Sequence, residues 1–98
     1  MASLPRKTVL ITGCSAGGIG SALAKAFHAH GLRVIATARD LPKIEHLKAM
    51  GIDVLTLDIE DAASIKTAVI KVAALTGGTL DILVNNSGVG LYQVQFRQ

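Results

Sequence analysis

Aromatic side chains are almost missing from this 98-residue sequence: Phe27, Phe96 and Tyr92 are the only ones. A core must therefore be assembled from Val, Ile, Leu and Ala, and the aromatic stacking platforms of single-strand nucleic-acid binders are not there. Clustered basic charge is missing too. The net charge is only +3, and of the Lys and Arg residues only Arg6 and Lys7 are adjacent. Without a basic stripe, no nucleic acid is expected as a partner. The single cysteine, Cys14, rules out an internal disulfide, whereas small secreted domains usually carry several. Long apolar runs are lacking as well. Behind Arg6 and Lys7 stands only the run from Thr8 to Ile11, shorter than the ~7–15 residues of a signal-peptide apolar region. It is far below the ~20 residues that cross a bilayer. A soluble, cytoplasmic location is expected, with room for peripheral attachment to a membrane or lipid surface. The three histidines do not make a metal site. His28 and His30 are two apart and do not share a helix face, and no acid or cysteine stands at ligand spacing from them or from His46.

What is present in quantity is apolar residues, half of the chain, and glycine, ten residues. The length suits one small domain, and the apolar content suits a packed core rather than disorder. Hydrophobic patterning alternates between short β-branched runs and segments of helical period. Thr8 to Thr12 reads as a buried strand. Gly18 to His30 reads as a helix with Ile19, Ala22, Leu23, Ala26 and Phe27 on one side, stopped at Gly31. Arg33 to Thr37 is a second strand. Asp40 is placed to cap a helix that tolerates Pro42 in its first turn, turns Ile44 and Leu47 inward and ends at Gly51. Asp53 to Leu57 is a third strand. Asp61 is placed to cap a helix carrying Ile65, Ala68, Val69, Val72 and Leu75, closed by Gly77 and Gly78. Leu80 to Val84 is a fourth strand, running into Asn85, Asn86, Ser87 and Gly88.

Strands alternating with helices imply right-handed crossovers, so the fold class is α/β: a partial Rossmann sheet of four parallel strands in the order 3-2-1-4 with flanking helices. One domain is expected over residues 1–90, followed by an irregular tail over 91–98. Strand four would then be a bare apolar edge, a route to self-association.

The most telling segment is Gly13 to Gly20, with four glycines in eight residues. It leaves a buried strand and opens a helix. Glycines there let the backbone approach a pyrophosphate, and the helix N-terminus offers free N–H groups and positive dipole to the anion. Ser15 adds a hydroxyl donor. A plain strand-to-helix turn would not need so much glycine, so the context points to dinucleotide binding. Cys14 lies within this loop with neither an activating base nor a resolving partner, and reads as a small turn residue.

Strand two ends in Thr37-Ala38-Arg39-Asp40. An acid often binds the adenosine ribose hydroxyls at this point. Here Arg39 could instead pair with a 2′-phosphate and stack on adenine, its planar fork suiting both tasks, with Thr37 adding a hydroxyl. Asp40 is accounted for as a helix cap. The cofactor expected is NADP; the alternative is that Arg39 is a solvated surface residue. Asp58 ends strand three at the same edge, where it either meets the adenine amino group or serves as a turn residue. The segment from Asn85 to Gly88 either contacts ribose or ties neighbouring strands together.

Taken together, VLITGCSAGGIG (Val9 to Gly20), ATARD (Ala36 to Asp40), LDI (Leu57 to Ile59) and DILVNNSG (Asp81 to Gly88) resemble the short-chain dehydrogenase/reductase family. The resemblance runs from about Thr8 to Gly90. Fungal NADPH-dependent acyl-dihydroxyacetone-phosphate reductases within that family are similar, and hydroxysteroid dehydrogenases share the Ala-Thr-x-Arg-Asp stretch. The resemblance implies that Gly13, Ser15, Gly18, Ile19 and Gly20 line the pyrophosphate and that Arg39 meets the 2′-phosphate. It also implies that Asp58 and Ile59 flank adenine and that Asn85, Ser87 and Gly88 approach the ribose. The loop departs from the family's Thr-Gly-x-x-x-Gly-x-Gly by one extra residue, with Gly17 and Gly18 adjacent. Ser87 replaces the usual alanine.

The family's chemistry uses a Tyr-x-x-x-Lys pair and a serine: the tyrosine gives the proton, the lysine lowers its pKa and the serine orients the substrate. The one tyrosine here, Tyr92, is followed four residues on by Phe96. No catalytic residue is therefore assigned, and the chain reads as the N-terminal, cofactor-binding portion of a truncated enzyme, not competent by itself. In the complete protein NADP(H) would serve the interconversion of a ketone and an alcohol on a small or lipid-like carbonyl substrate. Peripheral association with endoplasmic reticulum or lipid droplets fits such a family member. The alternatives are a non-catalytic nucleotide-binding or sensor module and a non-functional remnant.

Overall fold

The computed structural model describes residues 6–14 and 18–86 in full and the backbone of residues 93–96. Why the chain folds as it does is clearest at β1 (Thr8–Ile11), whose four residues are all buried. It lies between β2 (Arg33–Ala38) and β4 (Ile82–Asn85), parallel to both, in register Val9↔Val34 and Val9↔Ile82. β3 (Asp53–Thr56) continues the sheet beyond β2, with Ala36 opposite Val54. The order of the four parallel strands is the expected 3-2-1-4.

Alternation along the strands sorts the core into two faces. Val9, Ile11, Val34, Ala36, Ile82 and Val84 turn to one side, where they meet Ala24, Ile44, Leu47 and Ile52, with Leu23 and Phe27 packed on partly. These come from α1 (Ile19–Ala29), from the turns around α2 (Glu45–Lys48) and from the start of β3. Leu10 and Ile35 are equally buried but lie outside that cluster, as does Ala68, the one buried residue of α3 (Ala62–Thr76). Helices therefore flank both faces.

Several local readings shift. The inner side of α1 consists of Gly20, Ser21 and Ala24, whereas Ile19 is 53 % exposed and Ala22 and Ala26 face outward. The first two turns of the helix sit close to the sheet over small residues, while Leu23 and Phe27 pack against the core only in part. The segment after Asp40 is no continuous helix. It is a 3₁₀ turn over Leu41–Ile44 followed by a single α-turn, and the Asp40 side chain caps neither. Pro42, early in that segment, has no N–H to give to an α-helical ladder, and short 3₁₀ pieces suit such starts. Asp61 does cap its helix, its Oδ1 accepting from the Ala63 N–H at 3.0 Å. Ile65, Val69 and Ile70 remain exposed on α3.

The largest correction concerns the end of the chain. Residues 91–98 were expected to be irregular and β4 a bare edge. Instead β5 (Gln93–Phe96) pairs with β4 antiparallel, Val84 opposite Val94 and Asn85 opposite Gln93. The sequence QVQF alternates polar and apolar residues, and an open strand edge leaves a row of N–H and C=O groups that such a segment can satisfy. The route to self-association through an open β4 edge accordingly disappears. No helix among the described residues is long and apolar enough to cross a membrane.

Candidate functional site

The strand ends at the carboxyl edge of the sheet are held by a small polar network that starts at Thr12. Its N–H donates to the Val84 carbonyl at 3.1 Å, and its hydroxyl donates to Asn85 Oδ1 at 3.2 Å while accepting from the Asn86 N–H at 2.8 Å. Asn86 Nδ2 donates onward to the Gly13 carbonyl at 3.1 Å. These bonds clamp the end of β4 to the turn after β1. The turn itself begins at Gly13, whose φ of 68° is the left-handed region that glycine tolerates best. Gly20, in the first turn of α1, packs directly beneath it. A Cβ at Gly20 would overlap the Gly13 carbonyl oxygen and lie 2.7 Å from Asn86 Nδ2. The glycines thus serve close backbone approach as well as turn geometry.

Cys14 follows in the turn with no exposed surface. Its thiol donates to the Ile11 carbonyl at 3.2 Å, and burial pushes its pKa up to about 11, partly offset by a backbone hydrogen bond from the Thr37 region. It stays a protonated, inert thiol at neutral pH, in keeping with a structural turn residue. Thr37 is also fully buried, its hydroxyl donating to the Ile11 carbonyl at 3.1 Å. The expectation that Thr37 offers a hydroxyl to a ligand is therefore corrected: its side chain is buried against β1, whereas Arg39, just past the end of β2, is exposed.

A cleft of about 790 Å³ opens at this edge, lined by Gly13, Ala38, Arg39, Asp40, Lys43, Leu57, Asp58, Ile59, Glu60 and Asn86. Its floor is the ends of β1, β2 and β3, the place where open α/β sheets bind ligands. Of the residues picked out from the sequence, Gly13, Arg39, Asp58 and Ile59 line it. Gly18, Ile19 and Gly20 stand behind the Gly13 turn at the start of α1, whose N-cap residue Gly18 supplies no side-chain cap to the first-turn N–H groups. Asn85 is spent on Thr12, and its neighbour Asn86 lines the cleft in its stead. Ser15, Ser87 and Gly88 lie outside the described residues.

Asp58 is a turn residue at the rim of this cleft. Its Oδ1 accepts from the Glu60 N–H at 3.0 Å and its own N–H donates to the Ser64 hydroxyl at 2.9 Å, the pattern of a turn residue, while it also lines the cleft. Lys43 and Glu60 are additions that no sequence pattern announced. Lys43 reaches the cleft because the 3₁₀ turn sets it three residues past Asp40, with Nζ 3.6 Å from Asp40 Oδ2.

The sequence profile of the short chain dehydrogenases matches residues 7–98. The chain belongs to the short-chain dehydrogenase/reductase family. Among curated relatives, it is 52 % identical over 88 residues to the short-chain dehydrogenase ptmH of Penicillium ochrochloron, covering 89 % of this chain and 32 % of that protein. It is 46 % identical over 82 residues to the NADPH-dependent 1-acyldihydroxyacetone phosphate reductase of Schizosaccharomyces pombe, covering 84 % of this chain and 28 % of the relative. In three dimensions it superposes on a short-chain dehydrogenase from Streptomyces avermitilis with a TM-score of 0.76 at 36 % identity, covering 86 % of this chain and 31 % of that one. The chain thus spans about a third of the length of the curated relatives it matches. Members of this family are oxidoreductases that bind nicotinamide cofactors, and the described strands, glycine turn and cleft are the N-terminal part of that architecture.

Proposed function

We propose that the cleft binds the adenosine end of NADP(H) and that the chain is the cofactor-binding portion of a ketone–alcohol oxidoreductase. The carrying observation is Arg39, exposed on the cleft wall at the end of β2, where a family member that takes NAD would present an acid to the ribose hydroxyls. The donor set suits the group. A guanidinium offers a planar fork to a 2′-phosphate, the first turn of α1 offers backbone N–H groups to a pyrophosphate, and Asp58 and Ile59 offer an acceptor and an apolar surface to adenine. The cleft volume of about 790 Å³ lies within the ~300–1,000 Å³ of ordinary ligand pockets.

In this reading Gly13, Ser15, Gly18, Ile19 and Gly20 shape the pyrophosphate turn, and Asn85, Ser87 and Gly88 border the ribose. Bound there, the cofactor supplies or accepts hydride. This chain's residues bind and orient it, while a proton donor must come from elsewhere in the full length of such enzymes, because Tyr92 is followed by Phe96 where the family has lysine. The substrate we favour is a lipid-like carbonyl compound, on the strength of the Schizosaccharomyces pombe relative, whose name gives an acyldihydroxyacetone phosphate. A cytoplasmic protein that can attach to lipid surfaces fits that substrate.

Fluorescence titration of the purified chain with NADPH and with NADH tests the cofactor assignment. Saturable binding with NADPH tighter is expected, and Arg39→Ala should weaken NADPH about tenfold or more, as loss of a hydrogen bond to a charged group costs ~1.5–3 kcal/mol. Folded protein that binds neither cofactor would overturn the assignment.

A further inference from the structure

Among the described residues, five ionisable side chains line the cleft: the cations Arg39 and Lys43 and the carboxylates of Asp40, Asp58 and Glu60. Arg39 alone would face three carboxylates, one of them its own neighbour in the chain. An unpaired Asp40 there would compete with an incoming phosphate for Arg39, repel the phosphate itself, and accept the ribose hydroxyls that characterise an NAD site. The structure removes that conflict. Asp40 makes no capping bond to the turn it precedes. Its carboxylate instead pairs with Lys43 at 3.6 Å, and the Lys43 N–H donates to the Asp40 carbonyl at 3.1 Å, fixing the three-residue spacing.

We infer that Lys43 is a second determinant of cofactor choice, neutralising Asp40 and adding a cation to the end of the cleft that takes the 2′-phosphate. The inference rests on the assignment of the cleft to NADP(H) and deepens it. Both partners are about two-thirds exposed, at 63 % and 65 %, so the ammonium is free to swing between carboxylate and phosphate without a desolvation barrier. The pairing is a resting position that holds the charge at the site. Lys43 would act on the phosphate only, and the nicotinamide half of the ligand would not sense it.

The test is calorimetric titration of the chain with NADPH, NADH, 2′,5′-ADP and 5′-AMP, for the unmodified protein and for Lys43→Ala, Lys43→Arg and Asp40→Asn. Lys43→Ala should weaken NADPH and 2′,5′-ADP about three- to tenfold, the scale of an exposed charge contact of ~1 kcal/mol, and leave NADH and 5′-AMP within about twofold. Lys43→Arg should restore the preference, Asp40→Asn should raise it, and the Lys43→Ala effect should shrink as salt rises. If Lys43→Ala weakens all four ligands alike, or none, the inference is overturned while the NADP assignment stands. If the unmodified chain prefers NADH or binds nothing, the assignment itself fails, and that arm shows it without any variant.

Discussion

The side-chain amide of Asn86 reaches the carbonyl of Gly13 at 3.1 Å, so that the end of β4 holds the turn that leaves β1. Two segments 73 residues apart in sequence meet at the floor of the cleft. Replacing Asn86 by alanine should leave that carbonyl without its partner and destabilise the chain by about 1–3 kcal/mol, the range for an orphaned polar group. Denaturant unfolding measures the loss. Asn86→Asp should fare no better, since a carboxylate cannot donate to a carbonyl.

Gly20 lies against the same carbonyl. Gly20→Ala should destabilise by about 1–3 kcal/mol through overpacking and weaken cofactor binding as well, because α1 must move away from the Gly13 turn. Gly77→Ala gives a contrasting control, since a Cβ there meets nothing within 4 Å. Its cost should come from its backbone conformation alone and leave binding unchanged.

Cys14 links stability to pH. Its pKa rises from 9.0 in the unfolded chain to about 11 in the fold, so the folded state holds the proton more tightly. The stabilisation is complete below pH 9 and is lost as pH climbs through 11, to a total on the order of 2–3 kcal/mol. The stability of the parent protein should therefore fall more steeply between those values than that of Cys14→Ala, measured by unfolding at several pH values. At pH 8 the native thiol should resist alkylating reagents that label the unfolded chain.

Arg33 joins three elements: its Nε donates to Asp53 Oδ2 at 3.2 Å, from β2 to β3, and its Nη1 donates to the carbonyl of Leu75 near the end of α3. The ion pair is about a third exposed on each side and should contribute less than ~1 kcal/mol. Arg33→Ala is expected to cost about 1–2 kcal/mol in all, mostly through the Leu75 carbonyl, with amide exchange at the end of α3 accelerated more than in α1.

Removing residues 91–98 should strip β5 from the sheet and leave the β4 edge open. Light scattering should then report concentration-dependent association that the intact chain does not show, since an uncovered apolar edge templates strand pairing.

The sequence by itself determined the alternation of strands and helices, the 3-2-1-4 order, the glycine turn and the position of Arg39. Each of these rests on near-neighbour physics: β-branched runs favour strands, glycine permits the turn at Gly13, and short right-handed crossovers leave little choice of strand order. The place of Asp58 just past β3, at the carboxyl edge of the sheet, follows for the same reason, because strand ends follow from strand pattern. Tertiary structure decided the rest. Thr37 and Arg39 are two apart and both polar, and only the sheet's packing makes one a buried bond to Ile11 and the other an exposed cleft residue. Asn85 and Asn86 are alike in sequence, yet strand register assigns one to Thr12 and the other to Gly13. Lys43 enters the cleft through a 3₁₀ turn that no periodicity marks, and QVQF becomes a strand because the edge of β4 offers it partners. Which side chain faces a ligand depends on contacts between segments distant in the chain, and a local pattern carries no record of them.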